Sequence, residues 1–149
     1  FSVKAGVPNM YGVTGGSTNE IAPGKRMLSS MTPTIVLKDG QPFLAVGGRG
    51  GPRITTAVAN VIINVIDFGM NIQDAVESPR VHYQWFPDKI LYESQGFPRD
   101  VLENLRRMGY SLDLGLPFNA RVEALMIDKT KGYMYGGPDP REEGVAIGY

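Results

Sequence analysis

Two groups of residues in this chain are suited to binding an anion or to stabilising a negative charge that develops during a reaction. Ser29 and Ser30 are adjacent hydroxyl donors, and Lys25 and Arg26 closely precede them. Because serine hydroxyls are short neutral donors, this pair could bind a carboxylate; a turn or a strand entry is the alternative interpretation. The other group is the run Gly-Gly-Arg-Gly-Gly-Pro-Arg at positions 47–53, which leads into a long apolar segment.

The glycine run at positions 47–53 differs from the two common nucleotide-binding loops. It lacks the Lys-Ser/Thr ending of a phosphate loop and the Gly-x-Gly-x-x-Gly spacing in a βαβ context. The first N–H groups of a helix have no partner within it, so Gly50 and Gly51 could donate to a phosphate, a carboxylate or an oxyanion. Pro52 suits the start of a helix. A loop that only packs tightly is the alternative interpretation.

The other residues that could do chemistry give weaker signals. His82 is the only histidine, so a Ser–His–Asp triad would have to use it. Its position between Val81 and Tyr83 on a predicted strand favours a structural, hydrogen-bonded histidine over a catalytic one. One histidine and no cysteine argue against a metal site. We interpret Glu142 and Glu143 as a solvated turn rather than as an acid–base pair.

A predicted β-hairpin and a predicted helix must position the serine pair and the glycine run. Residues 34–37 and 42–46 have the composition of strands, and Asp39-Gly40 between them suits a tight turn. The hydroxyl pair would then lie at one end of the strand pair and the glycine run at the other. Residues 54–68 carry apolar side chains at i, i+4, i+7 and i+8, which predicts a buried central helix.

The rest of the chain alternates short predicted elements with turns. Positions 1–27 contain many glycine and proline breaks, which indicates a lid, a binding loop or a frayed terminus around Tyr11. The elements predicted after residue 70 are a helix at 72–77 capped by Asn71, an extended segment at 80–85, a strand at 90–92, a helix at 98–108 with Val101, Leu102 and Leu105 facing inward, a strand at 110–114, and a hairpin of 122–127 and 132–135.

Length and composition indicate one compact α+β domain. The chain has 149 residues, of which 42% are hydrophobic, and its formal net charge is zero. Lys and Arg form no run, so neither nucleic acid nor an anionic membrane surface is expected as a partner. No segment reaches the roughly 18 consecutive apolar residues of a membrane span. The absence of cysteine excludes disulfides and thiolate nucleophiles.

The run from Lys25 to Ile35, which contains the serine pair, resembles the signature of γ-glutamyltranspeptidases (glutathione hydrolases). Further stretches resemble the same family in the family's order, so the resemblance extends over essentially the whole chain. They are Phe1-Ser2, Gly6-Val7-Pro8-Asn9-Met10-Tyr11-Gly12, Gly50-Gly51, Asn64-Val65-Ile66-Asp67, Pro79-Arg80-Val81-His82-Tyr83-Gln84-Trp85 and Asp139-Pro140-Arg141.

The resemblance implies part of an N-terminal-nucleophile-hydrolase αββα sandwich. In such enzymes a precursor cuts itself and exposes a Thr nucleophile, whose own amine acts as the base. It further implies that Ser29 and Ser30 bind the α-carboxylate of a γ-glutamyl group, and that Gly50 and Gly51 supply the N–H groups of an oxyanion hole. Such a donor is worth about 3 kcal/mol in other hydrolases. Tyr11 would belong to a lid over the pocket, and no cofactor or metal is implied.

The resemblance also implies what this chain would need from elsewhere. Phe1 aligns downstream of the catalytic Thr, so the chain alone is expected to be inactive. The implied partners are an upstream Thr-led segment and the large subunit of the same precursor, with glutathione or another γ-glutamyl compound as substrate. The implied organisation is a partial small-subunit domain, 1–149, with a lid and irregular segment at 1–27 and a sheet/helix core at 28–149. The resemblance alone suggests a periplasmic or secreted location.

Some positions depart from the family's usual pattern. Gly48, Arg49 and Pro52 stand where family members more often have Ser, Pro and Ser. Arg49 could add an anion contact or change the range of substrates. An acylase or a poly-γ-glutamate-processing enzyme with the same nucleophile chemistry is therefore one alternative function, and a non-catalytic binding module is the other.

Overall fold

The computed structural model describes residues 1–115 and 119–148, which form an α+β fold with two sheets. The larger sheet is antiparallel with the strand order β1-β2-β6-β7, and the smaller sheet has the order β3-β4-β5. The strands are β1 (Thr34–Lys38), β2 (Gln41–Arg49), β3 (Val81–His82), β4 (Ile90–Tyr92), β5 (Leu112–Leu114), β6 (Arg121–Asp128) and β7 (Tyr133–Gly137). The helices are α1 (Arg53–Ile66), α2 (Ile72–Glu77) and α3 (Arg99–Arg107), and Ser17–Asn19 form a 3-10 turn.

The segment 1–27 is irregular apart from the 3-10 turn, as predicted, but it folds into a hydrogen-bonded loop. Ser2 N–H donates to Asn19 O at 2.8 Å, and Gly6 N–H donates to Gly15 O at 2.9 Å. Ser2 is buried as a result. The segment is therefore a closed loop and not a frayed end.

The antiparallel pairing of β1 with β2 brings the start of β1 and the end of β2 to the same end of the strand pair. Asp39 and Gly40 form the predicted turn, with φ angles of 53° and 72°, and Thr34 lies opposite Val46. The prediction that the serine pair and the glycine run lie at opposite ends of the strand pair is therefore wrong. Because a hairpin reverses the chain, the segment before its first strand lies beside the segment after its second strand.

Helices α1 and α2 cover one face of the larger sheet and form the core with it. α1 begins at Arg53, one residue before the predicted start, and Gly69, with a φ angle of 64°, turns the chain after the end of the helix. The buried hydrophobic residues of this core are Leu44, Val46, Ile54, Ala57, Val58, Val61, Val65, Ile72, Ala75, Val76, Ala120, Val122 and Ala124.

The prediction of a buried central helix is only partly correct for α1, because one of its faces is open. Ile63 and Ile66 are 45% and 51% exposed. The polar side of the helix, by contrast, is in contact with the rest of the chain. Asn64 Nδ2 on that side donates to the backbone carbonyl of Ala75 in α2 at 3.2 Å. The spacing of apolar residues predicts an apolar side and a polar side for this helix, but it does not indicate which other elements cover each side.

The other face of the larger sheet is apolar and exposed in the described chain. Ile35, Leu37 and Met134 are 69%, 59% and 67% exposed. Ile35 pairs with Ala45 and Ala45 pairs with Leu125, so the apolar side chains form a row across neighbouring strands. The described residues therefore supply a helical layer and a sheet layer, with the outer sheet face unpaired.

The smaller elements follow the predicted order. Asn71 caps α2 as predicted, because its side-chain oxygen accepts a hydrogen bond from Asp74 N–H at 2.9 Å. The predicted inward position of Val101 is wrong: α3 has no buried residue and Val101 is 40% exposed, since α3 lies beside the short edge strand β5. Residues 116–118 and 149 of the proposed core lie outside the described residues.

Candidate active site

The glycine run forms a sharp turn between β2 and α1. Gly50 and Gly51 have φ angles of 142° and 63°, which L side chains rarely adopt, and Pro52 is the N-cap of α1 with a φ angle of −65°. Gly51 O accepts a hydrogen bond from Ile54 N–H at 3.2 Å. The N–H groups of Gly50 and Gly51 donate to no acceptor within residues 1–115 and 119–148. Two adjacent backbone donors are therefore available at the start of a 14-residue helix.

Tyr11 lies against this turn. Asn9 Oδ1 accepts hydrogen bonds from the N–H groups of Tyr11 and Val13 at 2.9 and 3.1 Å, which makes a tight loop. A Cβ placed on Gly51 would lie 3.1 Å from both Cε1 and Cζ of the Tyr11 ring. The predicted lid residue and a predicted oxyanion donor are thus in contact. A cleft of about 400 Å³ adjoins this loop and is lined by Gly6, Val13, Thr14, Gln84, Trp85 and Phe86.

The serine pair lies in an exposed, extended segment that leads into β1. Ser29 Oγ accepts a hydrogen bond from Met31 N–H at 3.2 Å, which leaves the hydroxyl hydrogen free to donate. Thr32 Oγ1 lies 3.1 Å from Thr55 Oγ1 in the first turn of α1. The segment is therefore attached to the helix that comes after the glycine turn. Ser29 and Ser30 are both exposed, and within the described residues no hydrogen bond joins either of them to Gly50 or Gly51.

His82 is buried and hydrogen-bonded at both ring nitrogens, as the structural interpretation predicted. Its Nδ1 lies 2.7 Å from Thr56 Oγ1, and its Nε2 lies 2.8 Å from Gln84 Oε1. The Gln84 amide nitrogen donates to the carbonyls of Tyr11 and Phe86, which orients the amide and assigns the ring hydrogen to Nε2. Burial lowers the pKa of His82, although the hydrogen bond to Gln84 opposes this, so the ring is neutral at pH 7.

Arg49 and Glu142 form an ion pair at the rim of the glycine turn. Glu142 Oε2 also lies 3.4 Å from Arg121 Nε. The predicted solvated turn at Glu142 is therefore the centre of a partly exposed charge cluster. The guanidinium charge of Arg49 is therefore paired with a carboxylate of the same chain, and Arg49 does not offer the site an unpaired positive charge.

A buried cluster of four charges lies behind the glycine turn, and sequence reasoning missed it. Arg80 Nη1 lies 2.8 Å from Asp139 Oδ2, and Arg141 Nη2 lies 2.5 Å from Glu93 Oε2. Arg141 Nη1 joins the two pairs, since it also donates to Asp139 Oδ1 at 3.1 Å. Arg80 and Asp139 are fully buried. Each charge has an opposite partner, which is what burial of ionised side chains requires.

The electrostatics of this cluster keep the Asp139 carboxylate ionised. Burial alone raises the pKa of Asp139, but Arg80 and the N–H groups of Val122 and Arg141 outweigh burial and hold the pKa below its ordinary value. In the sequence, Arg80, Asp139 and Arg141 stand in two of the stretches that resemble the family, 79–85 and 139–141, and no other pattern marks them. A charge pair whose members are 59 residues apart has no local pattern that would identify it.

Within residues 1–115 and 119–148, no group of three or more His, Cys, Asp or Glu side chains is arranged to hold a metal ion. In the same part of the chain, every helix is too short or too polar to cross a membrane.

Comparisons with known proteins identify the family. The protein-family model described as Gamma-glutamyltranspeptidase matches residues 1–149. The chain is 43% identical over 150 residues to the glutathione hydrolase proenzyme of Escherichia coli (strain K12). That alignment covers 100% of this chain and 25% of the proenzyme. A crystal structure of Helicobacter pylori gamma-glutamyltranspeptidase superposes with a TM-score of 0.90 at 51% identity, covering 95% of this chain and 77% of that one.

A second solved structure gives the same result. Gamma-glutamyltranspeptidase from Pseudomonas nitroreducens, complexed with L-DON, superposes with a TM-score of 0.90 at 39% identity, covering 100% of this chain and 77% of that one. The chain spans about a quarter of the length of the bacterial glutathione hydrolase proenzymes it matches. Its α+β fold is the fold of these solved enzymes, and the predicted fold class is confirmed. The match over all 149 residues shows that this chain belongs to the γ-glutamyltranspeptidase family.

Proposed function

We propose that this chain is the part of a γ-glutamyltransferase/glutathione hydrolase that binds the γ-glutamyl group and stabilises the oxyanion. The nucleophile would be an N-terminal Thr on an upstream segment of the same precursor. Family membership supports the enzyme class, and the names of the curated relatives call them proenzymes. On this proposal, the chain without that segment has no activity.

The observation that carries the proposal is the pair of N–H groups at Gly50 and Gly51, which have no acceptor among the described residues. They lie at the start of α1, where the helix leaves donors without internal partners and favours negative charge. Neither glycine has a side chain that would keep a substrate carbonyl away from the backbone. The Tyr11 ring against Gly51 would exclude water from the same place, which strengthens hydrogen bonds to a developing oxyanion.

The serine pair supplies the second half of the proposed pocket. The free hydroxyl hydrogens of Ser29 and Ser30 suit the α-carboxylate of a γ-glutamyl group, which accepts several hydrogen bonds. The link from Thr32 to Thr55 fixes this segment to α1, so the carboxylate site and the oxyanion donors would share one helix as their support. Holding the acyl group at two points orients its carbonyl for attack.

The proposed reaction proceeds through an acyl-enzyme. The hydroxyl oxygen of the upstream Thr attacks the γ-carbonyl carbon while the amine of that Thr takes the hydroxyl proton. The carbonyl oxygen becomes an oxyanion, which the N–H groups of Gly50 and Gly51 stabilise. The C–N bond then breaks, and the leaving amine takes the proton. Water or an acceptor amine attacks the resulting ester and releases the Thr.

The exposed apolar face of the larger sheet fits the proposed partners. Ile35 and Met134 are more than half exposed there, an arrangement that a sandwich of two sheets would bury. We assign this face to the upstream Thr-led segment and the large subunit of the same precursor, which together would complete the αββα layers. A periplasmic or secreted location belongs to the same proposal, and it can be tested by fractionating cells that express the precursor.

The experiment that tests the proposed function compares two chromogenic amides with the complete precursor that carries this chain. We expect release of p-nitroaniline from γ-glutamyl p-nitroanilide and little release from glutaryl p-nitroanilide, which lacks the α-amino group. Preference for the glutaryl compound would instead indicate the acylase alternative. No release from either amide, by a folded precursor, would favour a non-catalytic binding module.

A further inference from the structure

Ala120 adopts a strained backbone conformation directly before β6. Its φ angle is 67°, in the left-handed region that residues with a side chain rarely adopt, and the residue is 7% exposed. Because Ala120 carries only a methyl group, no hydrogen bond of its own side chain stabilises this conformation. Such a conformation persists only where the surrounding structure enforces it, and it is common next to functional sites.

The strained residue lies against the glycine turn. A Cβ placed on Gly50 would lie 2.6 Å from Ala120 Cβ and 2.7 Å from Ala120 Cα, so the two residues are in close contact. Arg49 and Arg121 are the last pair of the β2–β6 ladder, and Gly50 and Ala120 are the next residues outward. The contact therefore continues the ladder beyond its last pair, at the point where the chain turns into α1.

Buried polar groups hold the backbone of Ala120 on both sides. Arg80 Nη1 donates to Ala120 O at 3.1 Å. The preceding N–H, of Asn119, donates to Glu93 Oε1 at 2.7 Å, and the N–H of Val122 donates to Asp139 Oδ2 at 2.8 Å.

These three anchors come from the cluster of four charges behind the glycine turn. Because Arg80, Glu93 and Asp139 are all buried, the anchors are not weakened by competition with water. The cluster therefore has a specific backbone target, the residues on either side of Ala120, in addition to its internal ion pairs.

We propose that Ala120 is a positioning residue for the reaction. Its methyl group and left-handed backbone hold Gly50 in place, and the cluster of four charges enforces that backbone. The N–H groups of Gly50 and Gly51 are thereby held in the orientation that lets both donate to the proposed oxyanion. This inference rests on the proposed function, because it assumes that those N–H groups stabilise an oxyanion. Oxyanion stabilisation requires donors at hydrogen-bond distance from the oxyanion position, so a small displacement of the turn lowers the rate of acylation.

The test replaces Ala120 by glycine in the complete, processed enzyme. Glycine adopts a positive φ without strain, so the backbone conformation is not penalised, but the methyl group that packs against Gly50 is lost. Asp39→Gly is the matched control, since Asp39 is also a positive-φ residue and lies in the remote, exposed β1–β2 turn. Both variants lose strain and gain glycine's flexibility in the unfolded chain.

For Ala120→Gly we expect kcat for γ-glutamyl p-nitroanilide to fall about tenfold to a hundredfold. We expect KM to stay at the value of the Asp39→Gly variant, and the thermal midpoint to fall below that variant's only by the small amount that loss of one buried methyl group causes. If self-cleavage of Ala120→Gly fails while the thermal midpoint of its precursor is retained, the proposal is also supported, because self-cleavage passes through an oxyanion.

Two outcomes would overturn the inference. One is a kcat for Ala120→Gly equal to that of Asp39→Gly. The other is a fall in kcat that only matches the fraction of Ala120→Gly enzyme that is unfolded at the assay temperature, which would give Ala120 a role in folding only. An inactive wild-type enzyme would contradict the proposed function itself, and that result is separate from either outcome for Ala120.

Discussion

Thr56 Oγ1 lies 2.7 Å from His82 Nδ1, and this hydrogen bond connects the early turns of α1 to strand β3. Through Gln84, whose amide donates to Tyr11 O at 3.2 Å, the same chain of hydrogen bonds reaches the loop that covers Gly51. His82, the only histidine of the chain, therefore connects α1, which follows the glycine turn, to the proposed lid through hydrogen bonds.

The first prediction concerns the pH dependence of stability that His82 confers. Burial lowers the pKa of His82 in the folded state below the value of about 6.5 in an unfolded chain. The folded state then binds fewer protons, so the free energy of unfolding falls as the pH drops below the unfolded value towards the folded one. Urea unfolding at pH 7.5 and 5.5 should show a larger decrease for the wild type than for His82→Gln. Equal decreases would show that His82 does not carry this dependence.

The second prediction concerns the charge of Asp139. Asp139→Asn leaves Arg80 buried beside a neutral amide, and breaking a buried pair in this way costs about 3–5 kcal/mol in the free energy of unfolding. The matched control is Asp113→Asn in the exposed Lys89–Asp113 pair, which should leave stability unchanged. Urea unfolding of the complete protein measures both variants. Equal midpoints for the two would contradict a stabilising role for the buried pair.

Short-range patterns predicted the parts of the fold that depend on neighbouring residues. The turn at Asp39-Gly40 and the cap at Asn71 need only a few adjacent residues, and both were predicted correctly. The burial of α1 was predicted less well, because the residues that cover a helix come from elsewhere in the chain. Ile63 carries an apolar side chain that the described chain leaves 45% exposed.

Contacts between distant residues could not be predicted from local patterns. Tyr11 contacts Gly51 only because a closed loop folds back over the helix start, and Arg80 contacts Ala120 across 40 positions of sequence. The resemblance to the family named several of these residues but gave no physical reason for the charged ones. The positive φ angle of Ala120 has no sequence signal, because alanine is not a residue type that favours the left-handed region.

The third prediction tests the serine pair. If both hydroxyls donate to the substrate carboxylate, Ser29→Ala combined with Ser30→Ala removes two charge-assisted hydrogen bonds and raises KM about tenfold or more. Ser111→Ala, at another exposed serine, is the matched control and should leave KM unchanged. Steady-state kinetics on γ-glutamyl p-nitroanilide measure the effect. If the double variant has the KM of the control, the serines do not bind the carboxylate.

The fourth prediction tests the contact between Gly51 and Tyr11. In Gly51→Ala, the new methyl group would lie 3.1 Å from two Tyr11 ring atoms, and the φ angle of 63° would become strained. The ring must move away, so we expect a lower kcat/KM and faster hydrogen exchange at Tyr11 and Val13.

Tyr11→Ala separates the two causes of this loss. If the ring and the methyl group collide, Gly51→Ala should lower kcat/KM by a smaller factor in the Tyr11→Ala background than in the wild type, because residues in contact are not additive. The backbone strain at residue 51 is the same in both backgrounds and therefore cancels in this comparison. Fully additive losses would mean that Tyr11 does not cover Gly51 during the reaction, and that the ring contact with the glycine turn has no part in catalysis.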